Sequence, residues 1–153
     1  MAIAMVIFTL IGGIVLSAQS SVNGTLSRKA GTIETTLFTF ITGSLFLALI
    51  ILFFGQGNIL AIMEAPKWQL SAVFLGVAYL LLTVIAVPRI GVIATNIGTI
   101  IGQLITGMII DHFGWFGGLE IHIDGKRLAA LAFMLLALYF VYKSNKRVKQ
   151  ERA

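Results

Sequence analysis

The sequence predicts an all-α polytopic membrane protein with five transmembrane helices, and three observations carry that reading. Of 153 residues, 58% are hydrophobic and 11% charged, with a mean hydropathy of +0.99; soluble domains keep about a quarter of their residues charged. The apolar residues gather into five windows. Their unbroken runs exclude a closed β-barrel, whose strands alternate apolar and polar residues over about ten positions.

The windows are residues 2–22, 33–54, 69–87, 91–110 and 128–142. Each of the first four approaches the ~20 residues that an α-helix, rising 1.5 Å per residue, needs to cross roughly 30 Å of hydrocarbon. The fifth is short, and Lys126, Arg127 and Lys143 extend it by snorkelling to the two interfaces. The first window has no basic residue ahead of its apolar core, and Arg28 and Lys29 follow it. That is the reverse of a secretory signal, so a retained helix is expected. Asn23-Gly24 and Gly31 punctuate the chain after the first window, Gly55, Gly57, Asn58 and Pro66 after the second, and Pro88 to Gly91 between the third and fourth. The third and fourth helices are therefore expected to form a tight hairpin. The longest connection runs from Asp111 to Arg127. Trp68, Trp115 and Phe116 sit beside span ends, where amphipathic rings favour the interface. With no strong internal repeat and no low-complexity segment, residues 1–153 are expected to form a single five-helix membrane domain.

Five spans put the termini on opposite sides. One side then carries Arg28, Lys29, Arg89, Lys143, Lys146, Arg147, Lys149 and Arg152, and the other only Lys67, Lys126 and Arg127. The positive-inside rule places the first set in the cytoplasm, with the N-terminus outside and the C-terminus inside. The net charge of +5 is thus a topology and lipid-headgroup signal, and no nucleic-acid partner is expected.

The fourth window carries the functional expectation. Asn96, Thr99, Gln103 and Thr106 recur at helical spacing on one side of an otherwise apolar span. An amide without a partner is expensive in lipid, so this side should face other helices or a polar cavity, as a solute path requires. Gln19 and Asn23 share a face of the first helix, and Thr35, Thr39 and Thr42 a face of the second. Together with the polar side of the fourth helix these residues suit a shared binding cavity; interhelical hydrogen-bonded packing is the competing role, and for the threonines it is the favoured one. Gly98 and Gly102 form a small-xxx-small step expected to serve packing. No carboxylate lies at mid-membrane; Glu34 and Asp111, near span ends, are the candidates for ion coupling, with an ordinary interfacial role as the alternative.

The chain has no cysteine, which removes disulfides and thiolate sites. His112 and His122 fit no zinc spacing, and no metal or other cofactor is expected. Neither a Ser/His/Asp arrangement nor a phosphate-binding glycine loop appears, so an enzyme or an ATP-driven pump is not expected. Five helices are few to enclose a solute path, and many transporters join two repeats of opposite topology. The biased basic residues favour a related second chain of opposite orientation, with an antiparallel homodimer as the other possibility. A non-transporting membrane subunit that docks a partner is the competing reading.

Gln19-Ser20-Ser21-Val22-Asn23-Gly24, the region of Gly43, Val87 to Gly91, Gly102-Gln103-Leu104-Ile105-Thr106 and Ile110-Asp111-His112-Phe113-Gly114 together resemble the YdcZ-like family of the drug/metabolite transporter (DMT) superfamily. The resemblance covers nearly the whole chain. It implies a multi-pass protein of the bacterial inner membrane, half of a ten-helix inverted-repeat DMT-type transporter, that exports a small polar or amphiphilic solute. The fifth helix departs from the family's pattern in being rich in alanine, at Ala129, Ala130, Ala132 and Ala137, and poor in glycine.

Overall fold

The computed structural model describes residues 2–117 and 120–151, and among these every regular element is helical. Arg152, one of the basic residues that set the expected topology, lies outside the described residues. The chain divides into two compact units, Met1–Arg89 and Ile90–Ala153. The first holds α1 (Ala2–Ala30), α2 (Thr32–Phe54) and α3 (Ala72–Ile90), with two short 3₁₀ segments, Ile59–Glu64 and Gln69–Ser71, between the last two. The second holds α4 (Val92–Phe113) and α5 (Gly125–Glu151). All five helices contain a stretch long and apolar enough to cross a membrane.

Single glycines make the links from α1 to α2 and from α3 to α4. Gly31 (φ 99°, ψ 157°) and Gly91 (φ 86°, ψ 161°) occupy a backbone region that only glycine enters at low cost. At each link the residue four positions on is a threonine whose backbone N–H and hydroxyl both donate to the glycine carbonyl: Thr35 to Gly31 at 3.2 and 2.7 Å, Thr95 to Gly91 at 3.1 and 2.8 Å. The second hydrogen bond pins the first helical turn without a capping side chain at the glycine. Glu34 lies in the first turn of α2 and folds back over Gly31, where a carboxylate favours the helix N-terminus. The α4 C-terminus ends on Gly114 in the left-handed conformation, its N–H bonded to Ile110 and Asp111 carbonyls.

Among the boundaries that differ from the expected windows, three have a local reason. α1 continues through Asn23-Gly24 to Ala30 because Gly24 is a point of close approach and not a stop: a Cβ there would collide with Cγ1 of Val87 on α3. α3 continues through Pro88 to Ile90, since a proline in the final turn forfeits one backbone hydrogen bond and has little helix left to disturb. The Pro88 carbonyl, left over at that helix end, accepts a hydrogen bond from Arg28 Nη2 at 3.1 Å. α5 begins at Gly125, with the Asp124 carboxylate accepting the Arg127 N–H at 2.9 Å. Its spanning stretch, Gly125–Ser144, is therefore longer than window 128–142.

Buried apolar side chains are Leu80, Val84, Val87, Ala94, Ile101 and Met108, and the buried polar ones are Ser20, Asn23, Thr35, Thr36, Thr83 and Thr95. Large apolar residues instead cover the outside, including Phe8, Phe46, Leu52, Phe74 and Phe133. This is the distribution of helices that meet through small and polar residues while lipid solvates their apolar faces. The Gly24–Val87 crossing is the tightest such meeting. Gly24→Ala should lower stability by ~1–3 kcal/mol through overpacking, and Val87→Ala should restore part of the loss by removing the methyl groups it meets. Unfolding in detergent, followed by circular dichroism, checks both variants and the pair.

Candidate functional site

In the first unit, Gln19 of α1, Thr39 and Ser44 of α2 and Tyr79 of α3 line a cavity of about 300 Å³. Phe40, Leu47 and Leu80 supply apolar wall, and Gly43 and Gly76 leave space where any side chain would project. Gln19 and Tyr79 each lie about three turns before the ends of their helices, near the middle of a 30 Å hydrocarbon layer. No lining residue is charged.

The hydrogen bonds around this cavity are unevenly distributed. Ser44 donates to the Phe40 carbonyl at 2.7 Å and Thr42 to the Phe38 carbonyl at 2.7 Å, so these hydroxyls are satisfied within α2. The Thr39 hydroxyl lies 2.9 Å from the Thr35 carbonyl and 3.1 Å from Asn23 Oδ1. Its one proton serves one of these acceptors at a time. Asn23 is 5% exposed, and its Nδ2 has no partner among the described residues. Gln19 and Tyr79, which line the cavity, likewise show no side-chain hydrogen bond among them. A buried polar group such as Asn23 Nδ2 costs several kcal/mol unless water or a ligand reaches it.

In the second unit, Gln103 and Asp111 lie on one face of α4 and line a cavity of about 310 Å³ with Leu104, Gly107, Met108 and Arg127. Arg127 Nη1 donates to Asp111 Oδ2 at 3.2 Å. The Asp111 carbonyl also accepts the Ile121 N–H at 2.8 Å, which fastens the approach to α5 onto the end of α4. His112 rests edge to face against Phe113 and His122, with ring centroids 5.0 and 5.3 Å away. Among the described residues no three His, Asp or Glu side chains converge as a metal site would require. A third cavity, about 450 Å³, is apolar but for its tyrosines and runs between α4 and α5 along Ile90, Ala94, Gly98, Leu135, Leu138, Tyr139 and Tyr142.

The residues singled out in the sequence separate accordingly. Gln19, Asn23 and Thr39 come together in the first unit, Gln103 and Asp111 in the second. Asn96 and Thr99 are half-buried and Thr106 is exposed, and none of them lines these three cavities. Within the chain a Cβ at Gly98 or Gly102 would meet nothing within 4 Å, whereas one at Gly24 would collide with Val87. Glu34 lies over Gly31 in the first turn of its own helix, and Asp111 pairs with Arg127. Tyr79 is not legible from the sequence. What sets it apart from Tyr139 and Tyr142 is that it lines the same cavity as Gln19, which only the fold reveals.

The comparisons with known proteins agree with this architecture. Residues 4–140 match the family described as "Putative inner membrane exporter, YdcZ". No curated protein and no solved structure matches the chain. A match over nearly the whole length, together with five apolar helices, makes the chain a multi-pass inner-membrane protein and a transporter by family. The chain belongs to the YdcZ family of drug/metabolite transporters.

Proposed function

We propose that the chain is a half-size secondary transporter that exports a small polar or amphiphilic solute and works as a dimer of inverted five-helix units. One observation carries this reading: Gln19 and Gln103 sit deep within their spans yet are exposed on the surface of the chain. An amide at that depth cannot rest against acyl chains without penalty. A second unit that covers these faces and encloses water between them removes the penalty and completes a solute path. Gln19, Asn23, Gln103, Asn96, Thr99 and Thr106 are the residues we assign to that path. The two acids near span ends have structural occupations, so we assign coupling to neither.

Orientation follows from charge, with the N-terminus outside and the C-terminus in the cytoplasm, because eight basic residues stand on one side and three on the other. One orientation for every copy requires a related chain of the opposite orientation as partner. In intact cells, a membrane-impermeant thiol reagent should label Lys67→Cys and not Ser144→Cys. Comparable labelling of both would make the partner an antiparallel copy of the same chain.

Transport is testable while the solute is still unidentified. Energised inside-out vesicles containing the protein should accumulate, from a cytosolic extract, a solute that control vesicles do not, as read by mass spectrometry. Gln19→Leu and Gln103→Leu should each slow that uptake about tenfold, the loss expected from one good hydrogen bond to the solute, with assembly unchanged. Unaltered uptake in both variants would contradict the assigned path. Absence of flux, with both variants failing to co-purify with a differently tagged partner, would favour the reading as a docking subunit.

A further inference from the structure

The first-unit cavity has a composition that selects its ligand. It contains no carboxylate, lysine, arginine or histidine, so an ion entering it would give up hydration with no counter-charge in return. Its lining does include two polar side chains at similar depth, Gln19 and Tyr79, that show no side-chain hydrogen bond among the described residues. A carboxamide side chain offers an N–H donor and a C=O acceptor together, which matches a second carboxamide in a paired, two-hydrogen-bond arrangement. The phenol adds one further donor and acceptor. Phe40 and Tyr79 give the walls a ring-sized apolar surface, and the absence of side chains at Gly43 and Gly76 leaves room for a flat body beside them. The Asn23–Thr39 contact behind Thr39 holds α1 against α2, so the amide at Gln19 is presented by two helices fastened together.

We infer that this cavity binds uncharged solutes that combine an aromatic or similarly flat apolar body with a primary amide or hydroxyl group, with Gln19 and Tyr79 as the groups that recognise the polar end. The inference rests on the transport reading for its biological use, and the binding site is testable apart from it. Gln19 supplies the amide pairing. Tyr79 supplies the second polar contact and one face of the apolar slot. Selectivity against ions arises from the absence of a charged group in the wall that this chain supplies.

The test uses the full chain in lipid nanodiscs and four probes of similar shape: benzamide, benzyl alcohol, benzoate and benzylammonium. Ligand-observed NMR titration reads their affinities. Benzamide and benzyl alcohol should bind, with both ions at least about tenfold weaker. Gln19→Leu and Tyr79→Phe should each weaken benzamide about tenfold or less, the latter with little change in apolar surface. Gln19→Glu keeps the shape and adds a charge, and it should shift preference toward benzylammonium. Circular dichroism melting establishes that each variant is folded. Benzamide failing to bind the wild type, either ion binding as tightly as benzamide, or Gln19→Leu and Gln19→Glu leaving all affinities unchanged would overturn the assignment. Failure here with vesicle uptake intact would reject the ligand class and spare the transport reading; benzamide binding without any vesicle uptake would do the reverse.

Discussion

Inside a bilayer, a hydrogen-bonding group must be satisfied by protein, by water or by a bound solute, because the acyl chains offer it nothing. The whole chain is organised around that constraint. Backbone groups are satisfied by making every spanning segment helical, and most threonine and serine hydroxyls by bonding to their own helix carbonyls, as Thr35, Thr42, Ser44, Thr83 and Thr95 do. Among the described residues of the first unit, Asn23 Nδ2 is buried without a partner, and Gln19 and Tyr79, which line the nearby cavity, show no side-chain hydrogen bond. They lie in or beside a single cavity.

The same constraint shapes the helix ends. A one-residue link leaves no loop in which to hide free backbone groups, so Gly31 and Gly91 take a conformation closed to other residues, and a threonine four positions on doubles the bond to the glycine carbonyl. Arg28 performs the corresponding service for the Pro88 carbonyl at the end of α3. Helix packing is then left to small residues. Gly24 lets α1 reach Val87, and Thr83, Val84 and Val87 are buried on α3. Because few apolar side chains are buried, the position of Gln19 relative to Tyr79 depends on contacts of this kind.

Much of this is legible in the sequence. Hydropathy alone locates five spans, since twenty consecutive apolar residues have few other uses. The residues Gln19, Asn23 and Gln103 stand out because amides are rare and costly in such windows. Helix ends are less legible. Asn23-Gly24 and Pro88 carry the composition of a stop, yet one glycine serves a helix crossing and the proline falls in a final turn, and both facts depend on a neighbour remote in sequence. The small-xxx-small step at Gly98 and Gly102 has the spacing of a packing motif, and within the single chain a Cβ at either position would meet nothing within 4 Å. Tyr79 escapes notice because an aromatic residue in a spanning helix is ordinary until its neighbours are known.

If the proposed path is right, the Gln19 face meets water and solute, not lipid. Because the chain has no cysteine, a single Gln19→Cys variant in native membranes reports this directly through its rate of reaction with a small water-soluble maleimide, set against Ile41→Cys, an exposed apolar position at similar depth. A thiol must ionise in water to react, so position 19 should label about tenfold faster or more than position 41. Equally slow labelling at both positions would place the Gln19 face in hydrocarbon and contradict the proposed path.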